Sequence, residues 1–363
     1  MKMLTIRQLF MMTVIFQVGT SVIFGFASAS GRDAWITTLL STVIGSLPVL
    51  MFLMLMRLYP GMTIVEWFPK TFGNWLGVPL AWIYPVMFFF GAAHSLGDIK
   101  DMLITTILPG TPEWAILALF ITVMIYILMS GVQTIGRLTE MILPVLILFF
   151  LFEIILIFSS EVVDFHRLTP IAGEGWGRIL HVVVPNGISQ SFAESIALTM
   201  IWPMADRPEK VLNRVLIATF LSGFIIAVFD AIAIAVFGEM GFMTMVYPLY
   251  TLTKTISIAD FFENLDAIGI LYFVCTAFFK TSIQMYALVR SIQLLLYLQS
   301  YRSLVIPMSI VALIVSLTLS KSSAEHFAVF SNLVAYTGVP FYIVLPFLLL
   351  VAAFIKTRLL TKI

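Results

Sequence analysis

Long apolar segments, separated by short charged or turn-forming stretches, follow one another through the whole sequence. A membrane-spanning helix needs roughly 20 consecutive apolar residues, and segments of that kind recur about ten times. We therefore predict an all-α polytopic membrane protein that forms a single membrane domain over residues 1–363. The predicted spans are 8–29, 34–56, 77–107, 113–130, 137–159, 179–204, 210–237, 264–298, 302–319 and 330–356.

Positive charge is distributed unequally between the two sets of loops that alternate along these spans. One set, which includes both chain ends, holds most of the lysine and arginine residues, among them Arg57, Lys210 and Lys356. Cytoplasmic loops carry an excess of Lys and Arg. We therefore expect the N- and C-termini in the cytoplasm.

Turn-forming residues interrupt the sixth span, where Pro185, Asn186 and Gly187 stand together in an apolar run. Proline removes a backbone donor and clashes with the preceding turn, whereas glycine tolerates irregular dihedral angles. Backbone groups freed in this way need partners, so an interruption occurs where protein or a water-filled cavity surrounds it. Since Ser189 and Glu194 follow the break, the pattern predicts a broken helix at a binding site near the membrane midplane.

The first span carries a matching small and polar cluster, Gly19, Thr20 and Ser21, at comparable depth. Interrupted helices at corresponding positions of two halves are typical of inverted-repeat transporters. We therefore predict a LeuT-like arrangement of two five-helix repeats, residues 8–159 and 179–356, with helices 1 and 6 broken. Ordinary small-residue packing between helices is the alternative interpretation of the first cluster.

Two broken helices together would offer complementary groups to a zwitterion. Half-helix N-termini present free N–H groups and partial positive charge suited to a carboxylate, and free carbonyl groups suit an ammonium. A small ligand, most simply an amino acid, would satisfy both. The predicted ligand-binding residues are Gly19, Thr20 and Ser21 of span one, Ala93 and Leu96 of span three, Asn186, Gly187 and Ser189 of span six, and Lys280, Thr281 and Gln284 of span eight.

Three short motifs occur in an order that is characteristic of one protein family. They are Asp33-Ala34-Trp35-Ile36, Arg137-Leu138-Thr139-Glu140 with Pro144, and Phe192-Ala193-Glu194-Ser195 followed by Trp202-Pro203. With these motifs the sequence resembles the B subunits of bacterial spore germinant receptors, within the amino acid–polyamine–organocation transporter superfamily. The resemblance implies a subunit that senses an amino acid or related nutrient and assembles with A and C subunits in the spore inner membrane. A stand-alone proton-coupled amino acid permease is the alternative function.

Charged residues at membrane depth are functional candidates by default. In sodium-coupled members of the fold that this resemblance implies, two adjacent hydroxyl side chains of span eight bind sodium. Thr281 and Ser282 resemble that pair of hydroxyls. Lys280 beside them would place an ammonium where the ion would sit. We therefore expect sodium-independent binding, with Lys280 and Glu194 as coupling or switch residues. A structural ion pair between the two, or a lysine that snorkels to an aqueous cavity, remains the alternative.

Further ionisable residues lie at membrane depth without a defined role. Asp98, Lys100 and Asp101 cluster toward the outer end of span three, where Asp98 and Asp101 share a helix face and could line an outer vestibule. Glu153 in span five and Asp230 in span seven could form local pairs or subunit contacts.

The composition and motifs give no indication of an enzyme. Only 11% of the residues are charged and 61% are hydrophobic, whereas a soluble domain has about a quarter charged residues. No Walker A loop, zincin pair or nucleophile elbow occurs, and Cys275 is the only cysteine. The four histidines, His94, His166, His181 and His326, fall on separate segments, so we expect no cofactor and no metal site. The net charge of +1 does not suggest nucleic acid binding.

Overall fold

The computed structural model describes residues 3–255, 266–319, 325–326 and 334–360. The α-helices, in chain order, are α1 Ile6–Val18, α2 Ser21–Phe24, α3 Ala34–Leu58, α4 Ile64–Ala81, α5 Ile83–Thr106, α6 Glu113–Ser130, α7 Val132–Ser159, α8 Trp176–Val182, α9 Ile188–Gln190, α10 Pro208–Thr244, α11 Pro248–Lys254, α12 Asp266–Leu295, α13 Arg302–Thr318 and α14 Leu345–Leu360. Tighter 3₁₀ turns form Ser28–Asp33, Phe165–Leu168, Ala193–Met200 and Trp202–Met204, and wider π-helical turns form Val183–Gly187 and Val334–Val344.

Membrane-spanning helices dominate this architecture. Within the described residues, seven helical stretches are long and apolar enough to cross a membrane, and α1 and α13 are shorter apolar helices. The interrupted segment 176–204 lies between these stretches. The protein is a multi-pass membrane protein, and these segments together correspond to the predicted spans. The predicted starts of spans eight and ten, residues 264 and 330, and the outermost residues of both termini lie outside the described residues.

One helix that the apolar pattern did not predict is α4, which precedes the third span. Its start is stabilised by a capping box, in which the Thr63 backbone N–H donates to Glu66 Oε2 over 2.8 Å. Reciprocal bonds of this kind satisfy N–H groups that a helix start leaves without partners. Local capping chemistry, rather than hydrophobic length, therefore explains this helix.

The break in the first span is located at Gly19. Its backbone has φ 39° and ψ −131°, a combination that glycine tolerates because it has no β-carbon. A β-carbon at this position would lie 2.7 Å from the Phe16 carbonyl oxygen. α1 therefore ends here, and the chain resumes as the short helix α2.

The sixth span is interrupted one residue before its proline. Val184 has φ −120° and ψ 121°, an extended conformation within an otherwise helical segment. Residues that precede proline favour extended conformations because the ring clashes with a helical predecessor. Beyond α9, the chain continues as the 3₁₀ turns Ala193–Met200. The predicted break is confirmed, and the irregular part extends further than Pro185 to Gly187.

Spans one and six lie side by side and run in opposite directions. Near one end, the Leu4 N–H donates to the Met204 carbonyl over 2.9 Å. Deeper in the protein, Gln17 Nε2 donates to Ser195 Oγ over 2.8 Å, and Ser21 Oγ lies 2.6 Å from Ser191 Oγ. Residue numbers therefore rise along span one as they fall along span six. Opposed broken helices are the arrangement expected for a LeuT-like fold.

Candidate functional site

A buried ion pair lies beside the two breaks. Lys280 Nζ of α12 is 2.7 Å from Glu194 Oε2 in the sixth span, with the two side chains only 4% and 7% exposed. The sequence left two structural alternatives for Lys280, an ion pair with Glu194 and a side chain that snorkels toward water. The structure shows the ion pair, and the lysine side chain is buried. Because charges in a low-dielectric interior are costly unless paired, each of these two groups depends on the other.

The stem of Lys280 runs along the break of span one. A β-carbon at Gly19 would lie 2.8 Å from Lys280 Cδ, so the missing side chain makes room for the lysine. The ammonium also lies 6.0 Å from the centre of the Phe16 ring. Since α1 ends at this point, its C-terminal dipole favours a cation nearby. The break thus positions the lysine as well as exposing backbone groups.

Several buried polar atoms on the three spans that meet at this pair have no hydrogen-bond partner among the described residues. They include Gln17 Oε1 on span one, Asn186 Oδ1 and Ser189 Oγ on span six, and Thr281 Oγ1 and Ser282 Oγ on span eight. Hydroxyls inside helices usually donate to the carbonyl four residues earlier, and unsatisfied buried groups cost about 1–3 kcal/mol each. Such a group of unsatisfied atoms is typical of a site that binds a polar ligand.

The other residues predicted to bind the ligand are buried or packed against neighbouring helices. Thr20, Ser21, Ala93 and Leu96 are all buried. Gly187 packs against Ser41 of α3, where a β-carbon would collide with the Ser41 hydroxyl.

Gln284 contacts α5, the helix of the third span, instead of pointing toward the breaks. A β-carbon at Gly91 would lie 2.6 Å from its amide nitrogen, and Ser95 Oγ lies 3.5 Å from Gln284 Oε1. Gln284 therefore helps join α5 to α12.

A cavity of about 440 Å³ adjoins the ion pair. It lies between α5 and the final span, and its lining is apolar except for a few groups that include His94 and Glu194. Small-molecule pockets have volumes of this order, with apolar walls and few polar groups. The cavity gives a bound molecule access to the Glu194 end of the pair.

Some of the ionisable residues to which the sequence assigned no role have a hydrogen-bond partner in the structure. Thr38 Oγ1 donates to Asp230 Oδ2 over 2.6 Å, which makes Asp230 a local pair between α3 and α10. Glu153 is buried, and neither carboxylate oxygen has a hydrogen-bond partner within the described ranges. Asp98 and Asp101 are also buried, so they do not line an open vestibule.

Two further groups of charged residues were not recognised in the sequence. Arg32 and Arg178 both bind Glu239, at 2.5 and 2.8 Å, and join spans two, six and seven at one end of the helix bundle. His326 lies 2.9 Å from Asp98, although the two are far apart along the chain. The i, i+4 spacing of His94 and Asp98 was a signal for part of this second group, whereas the arrival of His326 depends on tertiary structure.

Known proteins resemble this chain along nearly its whole length. Residues 3–324 match the family described as Spore germination protein. Spore germination protein KB of Bacillus subtilis (strain 168) is 31% identical over 357 residues, which cover 98% of this chain and 96% of that protein. Spore germination protein YndE of the same organism is 25% identical over 259 residues, which cover 70% and 69% of the two chains.

Solved structures of transporters share the fold. MhsT in complex with L-phenylalanine has a TM-score of 0.70 at 13% identity, covering 96% of this chain and 89% of that one. Mhp1, a nucleobase-cation-symport-1 family transporter with bromovinylhydantoin bound, has a TM-score of 0.62 at 11% identity, covering 90% and 74%. At these identities the likeness concerns the fold alone, and the predicted LeuT-like fold is confirmed.

Proposed function

This chain belongs to the spore germination protein family, and we propose that it is the germinant-sensing membrane subunit of a spore germination receptor. Its ligand is a small zwitterion, in the first place an amino acid, bound between the broken spans. The observation that carries the proposal is the buried Lys280–Glu194 ion pair, together with unpartnered buried polar atoms on the three spans that meet at it. Such a region supplies hydrogen bonds and both signs of charge to one small molecule.

A zwitterion can replace the internal ion pair without changing the net charge of the site. Its carboxylate would bind Lys280, and its ammonium would bind Glu194, so neither buried charge would lose a partner. Hydroxyl and backbone groups of Gly19, Thr20 and Ser21 would contact the ligand from one side. Asn186, Gly187 and Ser189 would do so from the other side, with Thr281 on span eight, whereas Gln284 would support the site through its contact with α5.

Separation of Lys280 from Glu194 would make the pair a switch. The ligand acts only if it binds one arrangement of the protein better than another. We propose that the two arrangements differ in the relative position of the five-helix repeats, residues 8–159 and 179–356. Ala93 and Leu96 would form the apolar wall that selects the ligand side chain.

The receptor context extends this proposal to partners and location. We place the protein in the spore inner membrane, with both termini in the cytoplasm, in a complex with A and C subunits. The uneven distribution of Lys and Arg supports this orientation.

A stand-alone proton-coupled amino acid permease is the second candidate, favoured by the fold shared with transporters. Uptake into proteoliposomes separates the two functions. Concentrative transport of the bound amino acid supports the permease. Saturable binding without such transport supports the sensor.

Ligand-dependent thermal stability of the purified protein tests the site. A panel of amino acids, sugars and nucleosides is compared for the unmodified chain, for Asn186→Leu and for Thr122→Leu, whose position on α6 is exposed. A ligand at 100 times its Kd stabilises by about 2.7 kcal/mol. We expect a stereospecific shift with one amino acid, lost in Asn186→Leu and kept in Thr122→Leu.

The same assay tests the role of the lysine. Replacement of sodium by potassium leaves the shift unchanged if the Lys280 ammonium takes the place of a coupling cation. A sodium-dependent shift contradicts that role, and a full shift in Asn186→Leu contradicts the site. No shift with any compound contradicts binding by this chain alone.

A further inference from the structure

Three side chains that could bind a metal ion meet at the outer half of span three. His94 and Asp98 are one turn apart on α5, and His326 comes from the chain between α13 and Val334–Val344. Asp98 Oδ1 lies 3.4 Å from His94 Nε2 and 2.9 Å from His326 Nε2. All three residues are buried, and their candidate ligand atoms lie within 4.8 Å of one another.

The His94–Asp98 separation of 3.4 Å fits a tetrahedral metal site, whereas the 2.9 Å between Asp98 and His326 is a hydrogen-bond distance that lengthens when an ion binds between them. Metal–ligand bonds of about 2.0–2.2 Å place neighbouring ligand atoms roughly 3.3–3.5 Å apart. The two imidazole rings are stacked, with centroids 4.3 Å apart and planes at 17°. Rotation about the soft χ2 torsion of each histidine would turn both nitrogen lone pairs toward one point. Zinc sites also commonly take two ligands from one helix face and a third from a distant segment.

Negative charge at Asp101, beside the cluster, is only partly compensated by a lysine. Asp98 and Asp101 are buried, and Lys100 is 3.6 Å from Asp101. Lys100 also pairs with the half-exposed Glu113 over 3.3 Å, so one ammonium serves more than one carboxylate. Buried carboxylates without full compensation are stabilised by a bound cation.

Two independent features of the fold support a ligand at this position. A β-carbon at Gly97 would lie 2.5 Å from His326 Cε1, so the glycine admits the imidazole against α5. Asp101 is buried one turn beyond Asp98, and its Oδ2 has no hydrogen-bond partner in the described part of the chain. It is not among the ligand atoms that lie within 4.8 Å of one another, so it adds uncompensated negative charge beside the three ligands.

We propose that His94, Asp98 and His326 bind a divalent transition metal ion, in the first place Zn²⁺. Imidazole and carboxylate ligands suit this ion, and His94 also lines the cavity of about 440 Å³, which provides an entry path. The bound ion would fix His326 to span three. The three ligands are distinct from the Lys280–Glu194 pair, although His94 and Glu194 line the same cavity, and metal binding does not depend on the identity of the germinant.

The test uses the full chain, purified with a tag that contains no histidine and freed of metal with a chelator. Co²⁺ absorption spectra and Zn²⁺ titrations then measure binding to the unmodified protein, His326→Ala and a control with His166→Ala and His181→Ala. We expect one metal equivalent for the unmodified protein and the control. Removal of a histidine ligand should weaken binding by at least about 100-fold, since even outer partners of metal ligands contribute about 10–100-fold.

A second variant keeps the test independent of folding defects. Gly97→Ala retains all candidate ligands but displaces the His326 ring, and we expect at least tenfold weaker binding with metal-free stability measured alongside. Zn²⁺ should raise the unfolding temperature of the unmodified protein and of the control, but not of His326→Ala. Absence of Zn²⁺ and Co²⁺ binding, undiminished binding by His326→Ala, or loss of binding in the control overturns the proposal.

Discussion

Disruption of the buried ion pair should be costly when one partner is removed and mild when both are replaced. Lys280→Met leaves the Glu194 carboxylate without its partner at 2.7 Å, and Glu194→Leu does the same to the ammonium. Removal of one member of a buried pair costs about 3–5 kcal/mol, whereas apolar replacement of both is often neutral. For 363 residues, an unfolding entropy of about 2.1 cal/mol/K per residue converts this cost to roughly 4–7 °C.

Thermal unfolding of the two single variants and of the double variant measures the coupling. A double-mutant cycle should give an interaction energy of about 3 kcal/mol or more between the two side chains. Single variants that each lose less than about 1 kcal/mol, with additive effects in the double variant, would refute the ion pair. If the double variant regains stability but binds no germinant, the pair takes part in ligand binding; if it binds normally, the pair is structural.

Two further variants test the break of the first span and the contacts of Glu239 with its two arginines. Gly19→Ala should destabilise more than Gly73→Ala. Both glycines have positive φ, which costs about 1–3 kcal/mol for other residues, but a β-carbon at Gly73 meets no atom within 4 Å; equal unfolding temperatures would contradict crowding at the break. Glu239→Gln weakens contacts with Arg32 and Arg178, so we expect a loss of about 1–3 kcal/mol that shrinks as ionic strength rises. A loss independent of salt concentration would indicate packing instead of charge.

Most of the span pattern and both breaks follow from the sequence because lipid imposes strict requirements on it. Hydrocarbon demands long apolar helices and satisfied backbone groups, so each span and each interruption leaves a visible pattern. Gly19 and Pro185 to Gly187 are therefore recognisable without any knowledge of their neighbours. α4 escaped notice because a capping box stabilises its start and apolar length does not identify it.

The assembly of the polar side chains could be predicted less well. Lys280 and Glu194 were candidates for a pair because each needed compensation at membrane depth, yet their separation of 2.7 Å depends on how α12 packs against the sixth span. His326 had no local signal, and its position beside Asp98 depends on a glycine of α5 that leaves room for the ring. Asp98 and Asp101 share a helix face as expected, but burial on that face is a property of the neighbouring helices.

The sequence alone therefore determined the membrane class, most spans and the places where spans one and six break, since these depend on local apolar length and backbone chemistry. Tertiary structure alone decided which buried charges meet, that Gly19 admits the Lys280 stem, and that two distant histidines share one carboxylate. Helical periodicity specifies which face a side chain occupies, whereas its partner depends on the packing of helices that are remote along the chain.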